Sequence, residues 1–113
     1  MGETIFDKII SRQIPADIVY EDELCLAFKD VNPQAPVHIL LIPKAPLDML
    51  SNAQAGHQAL LGHLLLAVGK ITRQLNIDGA FRLVVNNGEE AGQSVFRLHL
   101  HILAGRQFRW PPG

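Results

Sequence analysis

The chain has 113 residues, 48% apolar and 19% charged, which places it among soluble globular domains and excludes disordered and fibrous classes. Ten basic residues against eleven acidic ones leave a net charge of −1, so nothing general draws it to nucleic acid or to a membrane surface, and any phosphate must be held by a local site. The single cysteine, Cys25, excludes an internal disulfide and a multi-cysteine zinc centre; in LCLAFKD it has the setting of a small buried hydrophobe. The longest apolar runs, HILLIP and LLGHLLLAVG, are too short or too interrupted to span a bilayer, and MGETIFDKII lacks a basic segment followed by an apolar one. The expectation is one cytoplasmic domain, residues 1–113, with 105–113 as an extended tail.

Thr4 is placed to cap a short helix in which Ile5, Phe6, Ile9 and Ile10 share a face, with Asp7 in the first turn, where a carboxylate suits the helix dipole; Pro15 ends it. Three strand-like runs follow, Ile18 to Tyr20, Leu24 to Phe28 and Val37 to Ile42, separated by the polar EDE and the turn-rich KDVNPQAP. Ser51 with Gln54 three residues on is a capping-box pattern, and Leu60, Leu61, Leu64, Leu65, Val68, Ile71 and Leu75 then recur at helical spacing. The other side of this long helix carries Ala55, Ala59, Gly62, Leu66 and Gly69, small residues plus one leucine where a monomer would place charges, which points to contact with a second copy. Two further strands, Ala80 to Asn86 and Ser94 to Leu103, flank the loop NGEEAGQ, and Pro111 and Pro112 close a tail anchored by Trp110. The sum is an α+β fold: an antiparallel sheet of about five strands with one long helix packed on one face and one short helix.

In SVFRLHLHIL, Phe96, Leu98, Leu100 and Ile102 alternate with Arg97, His99 and His101, so the apolar side covers the core under the long helix and the histidines take the other face. Three uses compete for that face: a metal pair, a structural polar surface, or a catalytic site. A zinc centre lacks a full ligand set, with His38 the best third donor and His57 and His63 on different helix faces, and Arg97 opposes a divalent cation. For catalysis, Gly88, Gly92, Gln93 and Ser94 reach the start of the histidine segment, where glycines let backbone N–H groups approach an anion and Ser94 can donate a hydroxyl, and Asn86 adds an amide. A neutral imidazole is a competent nucleophile toward phosphorus near pH 7.

These segments carry a resemblance. GQSVFRLHLHILAGRQFRWPPG resembles the signature end of the histidine triad (HIT) superfamily, in particular its Hint branch. TIFDKII, IPADIVYEDELCLAFKDVNPQAPVHILLIPK and FRLVVNNGEEAGQS match the same pattern in order and spacing over nearly the whole chain. The resemblance implies a homodimer that binds purine nucleotides and hydrolyses nucleoside phosphoramidates, adenosine or guanosine monophosphate joined to an amine, without metal or other cofactor. By its pattern His99 attacks phosphorus, His101 steadies the phosphate, His38 completes the polar network, and Ser94 lies by the leaving group. Asn86, Gly92, Gln93, Ser94 and Val95 match the phosphate cradle, Asp30 the acid on the ribose hydroxyls, Ile5, Phe6, Ile9, Phe28 and Val31 the slot for the base, and Trp110 a tail residue that reaches the partner's site. Arg97 departs from the pattern, standing where the first histidine is expected; a guanidinium cannot exchange a proton near neutrality. Two readings stay open there: a hydrolase slowed by the arginine, or a protein that binds nucleotide or acts as a scaffold without turnover.

Overall fold

A computed structural model describes residues 2–113. The order of elements is α1 (Ile5–Ile10), β1 (Ile18–Glu21), β2 (Cys25–Lys29), β3 (Val37–Pro43), α2 (Gln58–Gln74), β4 (Arg82–Val84) and β5 (Leu100–Ala104), with short 3-10 turns at Leu50–Asn52, Ala55–His57 and Glu89–Ala91. The five strands form one antiparallel sheet in the order β1-β2-β3-β5-β4. The first three are the expected meander; β5 then returns to pair with β3, so that Leu40 faces His101 and His38 faces Leu103 across the ladder. β4 and β1 are the edges.

The two central strands read CLAFK and VHILLIP, almost unbroken apolar runs rather than alternations, because both faces of the sheet are covered. On one face Cys25, Ala27, Ile39, Leu41, Leu98, Leu100 and Ile102 pack against Leu64, Ala67, Val68 and Ile71 of α2. On the other, Leu26, Phe28, Leu40 and Ile42 meet Phe6 and Ile9 of α1. The sequence pattern accounts for a helix on one face alone; α1 supplies the second cover, and it is this face that carries the histidines.

Several local expectations are corrected. α1 ends at Ile10, capped by Ser11 and followed by Arg12 at a φ of 65°, before Pro15 is reached. Its start is as expected: the Thr4 side chain accepts the Asp7 N–H and the Asp7 carboxylate accepts the Thr4 N–H. Ser51 does not cap α2, because it lies within a separate 3-10 turn; Gln54 and His57 form the capping pair, and the helix proper begins at Gln58. The last strand begins at Leu100, since Val95 to Arg97 are bent, and Phe96 is thereby turned partly outward rather than into the core. Trp110 is 82% exposed and anchors nothing in its own chain; the tail is held instead by Phe108, whose ring meets the guanidinium groups of Arg106 and Arg82 at 4.3 and 5.3 Å. Among the described residues no helix is long and apolar enough to cross a membrane.

Candidate active site

β3, β5 and the segment entering β5 bring three histidines together. The strand pairing that sets Leu40 against His101 also puts His38 one step along the same face. His38 Nε2 and His101 Nδ1 are 2.9 Å apart, and the His101 and His99 ring centroids 5.0 Å apart. Hydrogen bonds assign the ring protons. The Gln34 backbone N–H donates to His38 Nδ1 at 3.0 Å, so neutral His38 carries its proton on Nε2 and donates it to His101 Nδ1. His101 is then left with a proton on Nε2, a buried atom with no partner among the described residues. Asp30 Oδ2 lies 3.4 Å from His38 Nε2 and steadies the same pair.

His99 is fixed differently. Its Nδ1 lies 2.7 Å from the backbone oxygen of Arg97. A carbonyl only accepts, so Nδ1 holds the proton and the lone pair of the neutral ring is on Nε2. The edge of Phe6 packs against the His99 ring with centroids 4.9 Å apart. Burial pushes His101 down to about 4, with His99 and His38 adding to the effect and Asp30 opposing it; burial likewise lowers His38 against the pull of Asp30. Both rings are neutral at pH 7 and serve there as hydrogen-bonding groups rather than cations.

His99 and His101 line a cavity of about 290 Å³ together with Ile5, Phe6, Ile9, Phe28, Asp30, Val31, Ser94 and Val95. The structure therefore gathers the expected slot residues, Asp30, two of the histidines and Ser94 at one opening, with the fully exposed Val31 at its rim. Leu40, Ile14, Pro15, Ala16 and Lys29 complete the wall. These five stand outside the sequence-based set, although Leu40 follows from its place two residues beyond His38 on the same face of β3.

The cradle is only partly as expected. The Ser94 and Val95 backbone N–H groups have no protein partner among the described residues. Gln93, by contrast, is buried and spent inside the loop. Its Oε1 accepts the Gly88 N–H, its amide donates to the oxygens of Asp48 and Val95, and its own N–H is bonded to Gly88. The Gly92 N–H is likewise bonded to Glu89. Gly92 has a φ of 95°, a conformation that an L side chain rarely adopts, and Asn86 stands against it. Gln93 and Gly92 thus spend these donors inside the protein, Gln93 on Gly88, Asp48 and Val95 and Gly92 on Glu89.

Arg97 is 4% exposed and its side chain points away from the histidines. Its Nε donates to Asp7 Oδ1 at 2.9 Å, Nη1 to the oxygen of Pro43 at 2.7 Å and Nη2 to that of Lys44 at 3.0 Å. Its hydrogen bond to His99 is made by the backbone oxygen and not by the guanidinium.

Two trios offer atoms to a cation. In Asp30, His38 and His101, the two ring nitrogens sit at 2.9 Å, closer than the ~3.3 Å that separates two donors on one tetrahedral zinc. In Asp22, Cys25 and His63, the Asp22 carboxylate already accepts bonds from Leu24, Cys25, Tyr20 and His63. Burial and Asp22 push the Cys25 thiol up to about 12, far from the thiolate a metal takes. Both trios are better described as hydrogen-bonded networks.

An antiparallel five-stranded sheet that sets three histidines and a carboxylate beside an apolar slot defines a small α+β protein with a histidine-lined ligand site. Residues 11–108 match the HIT domain, and the chain belongs to the HIT family. It is 68% identical over 111 residues to an uncharacterized HIT-like protein of Synechocystis sp., covering 98% of this chain and 97% of that protein. It is 49% identical over 112 residues to a Zea mays protein named a 14 kDa zinc-binding protein, covering 97% and 88%. Among solved structures, a HIT family hydrolase from Legionella pneumophila superposes with a TM-score of 0.95 at 39% identity, covering 98% of this chain and all of the other.

Proposed function

We propose that the protein is a nucleotide-binding hydrolase that cleaves the P–N bond of purine nucleoside phosphoramidates through a nucleotidyl intermediate on His99. One observation carries the reading: hydrogen bonds leave an unprotonated nitrogen on His99 and a protonated, unpartnered one on His101 at the same cavity. The first is a nucleophile, and the second an acceptor-seeking donor for a phosphoryl oxygen.

The base enters the slot between Ile5, Phe6, Ile9 and Phe28, and Asp30 accepts the ribose hydroxyls. His99 Nε2 attacks phosphorus, forming the N–P bond as the bond to the amine breaks. The leaving nitrogen takes the Ser94 hydroxyl proton, which solvent water replaces, and the attacking water of the second step returns a proton to solvent. The proton on His99 Nδ1 stays on the ring, its positive charge eased by the Arg97 carbonyl. His101 Nε2–H and the Ser94 and Val95 N–H groups hold the phosphoryl oxygens as their charge grows. Water then displaces the imidazole and yields the nucleoside monophosphate. No step requires the residue at position 97 to move a proton, which favours a working hydrolase over the scaffold reading.

The exposed face of α2, with Gly62 open and Leu66 72% exposed, and the free edge of β4 support a homodimer in which the tail, residues 105–113, carries the exposed Trp110 to the partner's site. The test is release of amine and monophosphate from an adenosine phosphoramidate. We expect turnover by the parent, unaffected by chelator, and a loss of about a thousandfold or more in His99→Ala with adenosine monophosphate binding retained. Binding without turnover in the parent would return the scaffold reading; loss of activity with chelator would point instead to a metal, as in the name of the maize relative.

A further inference from the structure

We propose that the Arg97 side chain is a positioning residue that fastens α1, and with it the wall of the nucleoside slot, to the end of β3. Its kinetic consequence rests on the hydrolase reading, but the structural part stands separately.

α1 has only six residues, too few to hold a helix by its own hydrogen bonds. Two contacts dock it. Phe6 and Ile9 bury into the face formed by Leu26, Phe28, Leu40 and Ile42, and Asp7 binds Arg97. The carboxylate is shared: Oδ2 closes the capping box with Thr4 while Oδ1 accepts from Arg97 Nε. Burial works against ionisation of Asp7, yet the bonds from Thr4 and Arg97 outweigh it and hold its carboxyl below the usual range.

The other two arms of the guanidinium end on the carbonyls of Pro43 and Lys44, where β3 leaves the sheet and those oxygens have no strand partner across β5, whose pairing stops at Leu41. A planar fork with donors in fixed directions fits three acceptors on two segments; an imidazole, with two nitrogens, cannot. Because Phe6 lies within the capped turn between Thr4 and Asp7 and packs on the His99 ring, the clamp also sets one wall against the nucleophile. Arginine at position 97 and aspartate at position 7 thus act as a matched pair, and an arginine where the pattern's first histidine is expected is a structural exchange rather than damage to the site.

The experiment compares Arg97→Met, Arg97→Lys, Arg97→His and Asp7→Asn with the parent by hydrogen exchange of the α1 amides, adenosine monophosphate affinity, and KM and kcat on an adenosine phosphoramidate. We expect α1 protection to fall about tenfold in Arg97→Met and less in Asp7→Asn, with Arg97→Lys recovering part of the loss. Affinity should weaken in the same order, and the kinetic loss should fall on KM more than on kcat. Unchanged α1 exchange and affinity in both Arg97→Met and Asp7→Asn would overturn the proposal. So would an Arg97→His variant faster than the parent with α1 protection intact, since position 97 would then serve the chemistry. Should Arg97→Met fail to fold, the partly exposed Asp7→Asn carries the test. A parent that binds nucleotide without turnover would sink the hydrolase reading alone, leaving exchange and affinity to judge the clamp.

Discussion

The two faces of the sheet are built from the same strands and spend them differently. Under α2, alternate residues of β2, β3 and β5 meet a long helix and close into a dry aliphatic core whose members Leu41, Leu64, Ile71 and Ile102 are fully buried. Under α1, the intervening residues meet a helix of six residues that covers only part of the face, and the uncovered part is the cavity with His99, His101 and Asp30 at its wall. A short lid leaves room for a ligand where a long one leaves none. The period-2 alternation of a strand can thus place stability on one side and chemistry on the other, with His38 and His101 set by pairing that the opposite face enforces.

That division can be broken on its stable side first. Leu64→Ala should cost about 3 kcal/mol in denaturant unfolding through lost burial and a residual cavity, while kcat of the remaining folded protein is unchanged because no atom of the site is touched. A fall in kcat at full folding would mean that the two faces are coupled more tightly than their separate packing implies.

On the other face, stability should depend on pH. His101 titrates at about 4 when folded and near 6.5 when unfolded. As pH falls below 6.5, the unfolded chain binds its proton first, so stability present above that value is lost progressively down to pH 4, by about 3 kcal/mol. Unfolding midpoints across pH 4–7 read this directly, and His101→Gln should flatten the slope. An equal slope in that variant would assign the dependence to other groups.

The smallest stability effect belongs outside both faces. Leu66→Asp, at an exposed position of α2, should alter unfolding by less than about 0.5 kcal/mol yet convert a dimer to a monomer in sedimentation at micromolar concentration. A parent already monomeric there would remove the proposed dimer.

Much of this arrangement is legible in the sequence alone. Helical spacing from Leu60 to Leu75 marks α2, and the alternation from Phe96 to Ile102 separates the histidines from the core. The long-range steps are not written locally. That β5 lies beside β3, bringing His38 to His101, follows from tertiary pairing between residues 63 positions apart. The fastening of Arg97 to Asp7 is hidden for the same reason: an arginine inside an alternating run looks like a member of the polar row, and only the bend at Val95 to Arg97 turns it elsewhere. Gln93 is a third case, since a glutamine in a glycine loop reads as a ligand donor until its amide is found bonded to Asp48 and Val95. Ser51 misleads by a true local signal, a capping pattern, that a neighbouring pair, Gln54 and His57, satisfies instead.

The central claim is that His99 Nε2 is the attacking atom. Its most direct test is rapid mixing of the protein with an adenosine phosphoramidate, quenched in alkaline denaturant because a histidine P–N bond is lost in acid, followed by mass analysis of the peptide spanning residues 98–106. We expect a transient adenylyl group on His99 that forms as fast as amine appears and decays as monophosphate is released. Amine release with no modified histidine at any time, or an adenylyl group mapped to His101, would contradict it.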